Sequence, residues 1–224
     1  MKRSAINAAI RHAERFFSEH HFYLPPFASW SPDTWIIRAP ETALIRTLGL
    51  GWDVTDMGKG SFDTQGLLLF TLRNGDVVRA DDTKGYAEKV MVVRESQLTP
   101  WHFHWAKTED IINRGGGELV IELAWSTQDE SSLADTSVEV CCDGLMREVS
   151  AQGQVVLLPG ESITLPPKLY HQFYGLQGTG TVLVGEVSKT NDDAADNRFL
   201  EPLDRIPKID EDEPPYRLLC YEYP

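Results

Sequence analysis

Two histidines separated by a single residue, His102 and His104, constrain this chain more than any other feature of its sequence. On a β-strand, side chains alternate between the two faces, so this spacing places both imidazoles on one face. Neighbouring imidazoles disfavour a double positive charge but share a divalent cation well. Glu109 follows after a short stretch that can fold back, and His171 lies far downstream. We therefore predict that these four side chains form one metal site with open positions for a substrate.

Short apolar segments separated by glycine, proline and aspartate dominate the chain from residue 52 onward. We predict strands at 66–72, 77–79, 89–94, 97–104, 118–125, 138–142, 145–149, 154–158, 162–165, 171–174, 181–187 and 216–221. Asn74-Gly75 and Asp143-Gly144 predict hairpin turns. The segment 114–117 is predicted to be a turn after the histidine motif, because it lacks the ending of a phosphate-binding loop. Many short strands without alternating helices are typical of an all-β sandwich or barrel.

The first fifty residues have a helical pattern instead. Residues 4–20 repeat apolar side chains at three- and four-residue spacing, and Ser4 is a candidate N-cap. Ser31-Pro32 predicts the start of a second helix that ends before Pro40. A third helix is predicted from Pro40 to Leu48, where glycines follow. These helices precede the first predicted strand.

The net charge and the length of the apolar segments indicate which binding partners and which cell compartment to expect. The chain has 34 acidic and 21 basic residues and a formal net charge of -13, which argues against nucleic acid because phosphate binding needs clustered lysine and arginine. The apolar runs are too short to span a bilayer, and the start carries charge in place of an apolar segment, so we expect no membrane partner and no signal peptide. Three cysteines, with Cys141 and Cys142 adjacent, do not make a disulfide framework. We expect a cytoplasmic protein with reduced thiols.

The histidine motif and a second motif downstream resemble the two sequence motifs of the cupin family. The first is matched by His102, His104, Glu109 and Gly116, and the second by Gly160, Pro166 and His171. Lys168 stands where the second motif usually has glycine, and Gly175 where it often has asparagine. The resemblance implies a double-stranded β-helix, the cupin jelly-roll barrel. We expect a single cupin domain over 1–224, in which a helical extension, 1–50, packs on the barrel and tail of 52–224.

Longer segments extend the resemblance over nearly the whole chain. At 24–30, 102–117, 185–188 and 210–224 the sequence is similar to the bacterial D-lyxose ketol-isomerases. This resemblance implies an enzyme that interconverts D-lyxose and D-xylulose, and also D-mannose and D-fructose, with Mn²⁺ and as a homodimer. The donor set by itself also suits Fe²⁺, Co²⁺, Ni²⁺ or Zn²⁺. The apolar N-terminal helix and the last predicted strand offer surface for a homodimer contact.

An aldose–ketose isomerase must move a proton between C1 and C2 of its sugar. A metal that holds O1 and O2 can stabilise the enediolate, and a base must reach the carbon-bound proton. Glu186 is the candidate base if it points inward from a late strand, Glu201 is a second candidate, and Glu109 could leave the metal to act. Lys107 either donates a hydrogen bond to a sugar oxygen or is a solvated loop residue. We favour proton transfer through a cis-enediol over a hydride shift.

Two other functions fit the same motifs. A cupin dioxygenase would use Fe²⁺ on the same ligands, and a non-catalytic sugar-binding cupin would keep the barrel and need no base. Anaerobic turnover of an aldopentose separates the isomerase from the oxygenase. Loss of turnover with retained sugar binding, on replacing Glu186 or Glu201, separates the isomerase from the binding protein.

Overall fold

A computed structural model describes residues 1–78, 84–192, 195–206 and 208–224. The helices are α1 (Arg3–Glu19), α2 (Pro32–Arg38) and α3 (Ala43–Thr47), with 3-10 turns at Pro26–Ser29 and Ala39–Glu41. The strands are β1 (Gly51–Thr55), β2 (Leu67–Arg73), β3 (Tyr86–Val93), β4 (Thr99–Phe103), β5 (Glu109–Gly116), β6 (Leu119–Trp125), β7 (Val138–Cys142), β8 (Leu145–Val149), β9 (Gly153–Leu157), β10 (Ser162–Leu165), β11 (Leu169–Gly175), β12 (Val182–Lys189) and β13 (Arg198–Phe199). Of the described helices, none is long and apolar enough to cross a membrane.

The strands form two antiparallel sheets that share one core. The larger sheet has the order β1-β2-β3-β12-β5-β10-β7-β8, and the smaller has the order β13-β4-β11-β6-β9. Leu69 and Met91 of the larger sheet lie in the same apolar cluster as Leu123 and Phe173 of the smaller. Neighbouring strands that are distant in sequence, such as β12 between β3 and β5, give a jelly roll. This arrangement confirms the predicted all-β cupin fold with helices at its N-terminal end.

The first helix packs on the outer face of the larger sheet. Ile6, Ile10 and Phe17 are buried in one cluster with Trp52 and Phe70. Each such side chain contributes roughly 1.5–3 kcal/mol through its burial. The strands β2, β3 and β12 are therefore covered on both faces, by the α1 cluster and by the barrel core. For this reason, β2 and β3 have continuous apolar runs in place of alternation.

The starts of the helices match the prediction for α2 and differ for α1. The Ser31 hydroxyl accepts the N–H of Thr34 at 3.2 Å and caps α2, as predicted. α1 begins at Arg3, one residue before Ser4, and the N–H and hydroxyl of Ser4 donate to Asp212 at 2.9 and 2.7 Å. A carboxylate from the C-terminal tail thus satisfies this helix end in place of an N-cap serine.

Two predictions between residues 74 and 85 are wrong. The first two residues of the predicted strand 77–79 form a bend, and Arg79 lies outside the described residues. Asn74-Gly75 is not a two-residue turn, because the next strand, β3, begins only at Tyr86. The Asn74 Oδ1 accepts the N–H of Gly75 and of Asn191, at 3.0 and 2.9 Å. β2 and β3 still pair, across a longer connection. The second predicted hairpin, Asp143-Gly144, is confirmed between β7 and β8.

The glycine-rich segment 114–117 is mostly strand and not the predicted turn. β5 continues to Gly116, whose φ is +84°. A Cβ added at Gly116 would lie 2.2 Å from the carbonyl oxygen of Thr181. Glycine therefore lets β5 approach β12 closely at this point. The predicted third helix is also corrected, because a 3-10 turn takes its first residues and leaves only α3.

The C-terminal tail packs against the rest of the chain and does not form the predicted strand at 216–221. Its described pairing there is one bridge between Leu219 and Trp52. The buried guanidinium of Arg3 bonds Glu211 and Glu222 of the tail. The apolar faces of α1 and of the tail are thus used within one chain and give no support to the homodimer, which stays a prediction.

Candidate metal centre and active site

Three imidazoles meet inside the barrel where β4 and β11 pair. His102 on β4 lies opposite His171 on β11, and their ring centroids are 4.1 Å apart. His104 follows the end of β4, and its ring centroid is 5.6 Å from that of His102. One nitrogen of each ring lies within 4.8 Å of the others. The structure thus brings together the three histidines that the sequence singles out.

Each imidazole is oriented by a hydrogen bond between its Nδ1 and a backbone carbonyl. The pairs are His102 with Pro100 at 2.7 Å, His104 with Asp196 at 2.7 Å, and His171 with Leu169 at 3.1 Å. Because a carbonyl only accepts, Nδ1 carries the proton and the lone pair of the neutral ring is on Nε2, as metal binding through Nε2 requires. Burial, and then the repulsion that a second protonated ring at His171 or His104 would add, lower the pKa of His102 well below its usual value and keep its ring neutral.

Glu109, the first residue of β5, lies against two of these rings. Its Oε1 is 3.1 Å from Nε2 of His171, and its Oε2 is 3.5 Å from Nε2 of His104. In a buried site, nitrogen lone pairs and carboxylate oxygens repel one another unless a cation or a proton lies between them. Three imidazoles and one carboxylate, without a thiolate, suit a divalent transition metal. The residues present therefore fit such an ion.

Lys107 and Glu186 lie beside this donor set. The Lys107 Nζ is 2.8 Å from Oε2 of Glu109 and 2.9 Å from Oε1 of Glu186. Lys107 is 3% exposed and Glu186, on β12, is 6% exposed. Lys107 is therefore not a solvated loop residue, and Glu186 points inward. Both side chains line the cavity that contains the imidazoles.

The charges in this cluster keep one another ionised. Burial would raise the pKa of Glu186, but the ammonium groups of Lys107 and Lys89 outweigh burial and lower it. Burial also opposes ionisation of Glu109, whose pKa Lys107 and His104 bring well below its usual value. Burial would lower the pKa of Lys107, yet the carboxylates of Glu109 and Glu186 raise it. A buried charge persists when it is paired in this way.

Glu201 occupies a different place from Glu186. Its side chain is exposed and borders a separate hollow beside Trp101 and Gln172. Within the same segment, Phe199 comes close to the imidazoles, with its ring centroid 5.6 Å from that of His102. The structure brings Glu186 together with the histidines and leaves Glu201 outside their cavity.

The lysine that departs from the second cupin motif takes a glycine-like conformation. Lys168 has φ of +64°, in the left-handed region that favours glycine. Its N–H donates to the carbonyl of His104 at 2.9 Å. Its ammonium pairs with Glu130 at 2.7 Å. The turn before His171 thus keeps its shape and is tied directly to the histidine motif.

Sequence reasoning missed three residues of the site. The Asn191 Oδ1 accepts from the ammonium groups of Lys89 and Lys107, at 3.0 and 3.2 Å. The Asp196 carboxylate accepts the N–H of Ala106 and of Lys107, at 2.8 and 3.0 Å. Lys89 could have been found, because it is a charged residue at the start of an otherwise apolar predicted strand. Asn191 and Asp196 lie in a polar segment that gives no such signal.

The cavity beside these groups has a polar side and an apolar side. One side is formed by the histidines and the charged cluster. The apolar side is lined by Met57, Leu67, Leu69, Met91, Ile111 and Phe173. A few placed polar groups against apolar walls are typical of a small-molecule site.

Comparison with known proteins finds one family that matches nearly the whole chain. The family model described as D-lyxose isomerase matches residues 1–223. The chain is 53% identical to a D-lyxose/D-mannose isomerase of Escherichia coli O157:H7, over 100% of this chain and 98% of that protein. It is 51% identical to a D-lyxose/D-mannose isomerase of Serratia proteamaculans, again over 100% and 98%. These matches confirm the family resemblance seen in the sequence.

Among solved structures, the fold is similar to that of an L-ribose isomerase from Acinetobacter sp. DL28 in complex with L-ribose. The TM-score is 0.58 at 15% identity, with 90% of this chain and 93% of that chain covered. At this identity, the likeness concerns the fold alone.

Proposed function

Because the chain belongs to the D-lyxose isomerase family, we propose that it interconverts D-lyxose with D-xylulose, and D-mannose with D-fructose, at a divalent metal ion. The chain is an aldose–ketose isomerase. Its two relatives above 50% identity carry both aldoses in their names. The observation that carries the proposal is the 2.9 Å contact of Lys107 with Glu186, beside three convergent imidazoles.

Both pairs of sugars require the same change at C1 and C2. A base removes the proton on C2 of the aldose, the electron pair forms the C1–C2 double bond of a cis-enediol, and O1 gains a proton. C1 is then protonated, while O2 loses its proton and becomes the ketose carbonyl. D-Lyxose and D-mannose share their configuration at C2, C3 and C4. One arrangement of catalytic groups therefore serves both sugars.

We propose that His102, His104, Glu109 and His171 hold the metal. When bound, a divalent ion supplies a Lewis acid for O1 and O2 of the sugar and stabilises negative charge on them. The Nδ1 hydrogen bonds support this assignment because they leave each Nε2 lone pair available. Mn²⁺ is proposed from the family resemblance, and Co²⁺, Fe²⁺, Ni²⁺ or Zn²⁺ suit the same donors.

We assign the proton transfer to Glu186. Its carboxylate lines the cavity and is held ionised by two lysines. It can accept the C2 proton and, once protonated, return a proton to C1. The Lys107 ammonium, whose three donors reach Glu109, Glu186 and Asn191, can stabilise through its charge the negative charge that develops on the sugar oxygens. Glu201, exposed and outside the cavity, is the second and weaker candidate for the base.

Conversion of free aldoses tests the function. After removal of divalent ions with a chelator, the protein would be given Mn²⁺ and D-lyxose or D-mannose, and ketose would be measured. D-Xylose and D-glucose are matched controls, because they differ from these substrates only at C2 and present the C2 proton on the opposite face. We expect ketose from the first two sugars, far less from the controls, and none before Mn²⁺ is added. Absence of ketose from every sugar with each candidate metal would contradict the proposal.

The same incubation without oxygen distinguishes the isomerase from an Fe²⁺ oxygenase. Isomerisation consumes no O₂, so the rate of ketose formation should be equal with and without air. A strict requirement for O₂ would point to the oxygenase. Sugar binding without any ketose would point to a non-catalytic cupin.

We also propose a homodimer, from the family resemblance alone. Sedimentation velocity at micromolar concentration should then find a species of about twice the mass of one chain. A single species with the mass of one chain would contradict it.

A further inference from the structure

Lys89 is a buried ammonium on the inner face of the barrel. It is 3% exposed and lines the same cavity as the imidazoles. Its neighbours on the strand, Val90 and Val92, lie in the cluster under α1, whereas Met91 faces the barrel core with Lys89. A lysine is among the residues least often buried, and its charge is costly there without partners. Its position inside β3 therefore calls for a role that an apolar residue could not fill.

One partner of Lys89 is the carboxylate assigned to proton transfer. Lys89 and Glu186 are directly opposite each other in the pairing of β3 with β12, where cross-strand side chains are closest. The Lys89 Nζ is 3.4 Å from Oε1 of Glu186, and the Lys107 Nζ is 2.9 Å from the same oxygen. The shortest contact of each of these two ammonium groups with Glu186 is thus to Oε1. Oε2 is then the candidate oxygen for accepting a substrate proton.

Asn191 fixes the two ammonium groups relative to each other. Its Oδ1 accepts from Lys89 at 3.0 Å and from Lys107 at 3.2 Å. Its own backbone is held on both sides by Asn74, since its N–H donates to Asn74 Oδ1 at 2.9 Å and its carbonyl accepts from Asn74 Nδ2 at 3.0 Å. The Asn191 amide oxygen therefore holds the ammonium groups of Lys89 and Lys107 in place beside Oε1 of Glu186.

We propose that Lys89 is a positioning residue for the isomerisation, which with Lys107 and Asn191 holds Oε1 of Glu186 so that Oε2 faces the carbon-bound proton. This inference rests on the role proposed for Glu186. Lys107 also pairs with Glu109, a proposed metal ligand, so its replacement would affect the metal site as well. Lys89 contacts Glu186 from the opposite strand and restricts the rotation of its carboxylate. A proton-transfer group displaced by about 1 Å can lose on the order of 100-fold in rate.

The test is a comparison of Lys89→Met with Lys89→Arg and with Glu186→Gln. Lys189→Met, at the exposed end of β12, is the matched control for loss of a lysine. We expect Lys89→Met to lower kcat for D-lyxose on the order of 10- to 100-fold, with KM and Mn²⁺ affinity as in the unchanged protein. Lys89→Arg should recover most of kcat because it keeps the charge. The control should retain full activity.

The double variant Lys89→Met/Glu186→Gln distinguishes the positioning role of Lys89 from the proton-transfer role of Glu186. If Lys89 acts through Glu186, its replacement should have almost no further effect once Glu186 is glutamine. Equal fractional losses in both backgrounds would overturn the positioning role. A parallel loss of Mn²⁺ affinity or of the melting temperature would also overturn it and point to a structural role. Full activity of Glu186→Gln would instead overturn the proposed base. Should Lys89→Met not fold, Lys89→Gln provides the same comparison.

Discussion

His104 and Asp196 are joined by a hydrogen bond of 2.7 Å, from the imidazole Nδ1 to the backbone carbonyl, across 92 positions of sequence. The carboxylate of Asp196 meanwhile accepts the N–H of Ala106 and of Lys107, at 2.8 and 3.0 Å. One residue thus orients a proposed metal ligand and the loop that carries Lys107. The geometry of the site depends on this contact as well as on the residues that face the cavity.

Replacing Asp196 by alanine should therefore weaken the site without unfolding the barrel. The backbone carbonyl remains, but the loop from 105 to 107 loses its carboxylate anchor. Because this loop lies between the proposed ligands His104 and Glu109, we expect Mn²⁺ affinity to fall on the order of 10-fold, the lower end of what is typical when a group that orients a metal ligand is removed. Isothermal titration calorimetry measures this. Asp135→Ala, at an exposed position, is the control, and an unchanged affinity in Asp196→Ala would contradict the prediction.

His102→Ala should remove most of the bound metal and nearly all activity. The ligand set has three imidazoles and one carboxylate, and the affinity of an open site depends on the full set. Metal content after gel filtration and the rate of D-xylulose formation are the two measurements. His12→Ala, on α1 and away from the cavity, controls for loss of a histidine. Unchanged metal content in His102→Ala would refute the ligand assignment.

Tyr170→Phe should leave the free energy of unfolding unchanged or raise it by about 1–2 kcal/mol. Among the side chains that the structure describes, the Tyr170 hydroxyl is buried without a hydrogen-bond partner, and an unpaired buried hydroxyl is costly. Tyr216→Phe is the opposite case, because its hydroxyl donates to Glu14 at 2.7 Å. That variant should lose about 1 kcal/mol. Urea denaturation compares them, and a clear loss of stability in Tyr170→Phe would show that its hydroxyl is paired.

The sequence predicted those site residues whose positions follow from local spacing. His102 and His104 share a strand face through the period of two. Glu109 and His171 were predicted to join them, and the cupin resemblance includes the same four residues. The sequence left open whether Lys107 and Glu186 are solvated or point inward. Their burial shows that both point inward. Lys89 gave a signal, a charge on a predicted strand, but its contact with Asn191 spans 102 positions and no local pattern encodes it. Asn191 was missed for the same reason.

The errors in the fold have a related cause. The segment 216–221 is apolar because Tyr216 and Leu219 pack in the cluster beneath α1. Burial alone does not make a strand, which also needs backbone hydrogen bonds to a neighbouring strand. β1 was missed because Asp53 interrupts its apolar pattern, and that charge is paired with Arg205 from the distant tail. In both cases a long-range contact decides the local structure.

The central claim is proton transfer by Glu186 through a cis-enediol. Its most direct test is the reaction of D-lyxose in D₂O with Mn²⁺, followed by NMR of both sugars, for the unchanged protein, Glu186→Gln and Glu201→Gln. If Glu186 transfers the proton, that proton can exchange with solvent, so deuterium is expected at C1 of D-xylulose or C2 of D-lyxose after many turnovers. The same claim predicts that Glu186→Gln lowers kcat on the order of 100-fold or more with metal retained, as expected for loss of a general base, while Glu201→Gln has the smaller effect. Full activity of Glu186→Gln, together with no deuterium in either sugar after many turnovers, would contradict the claim and favour a hydride shift.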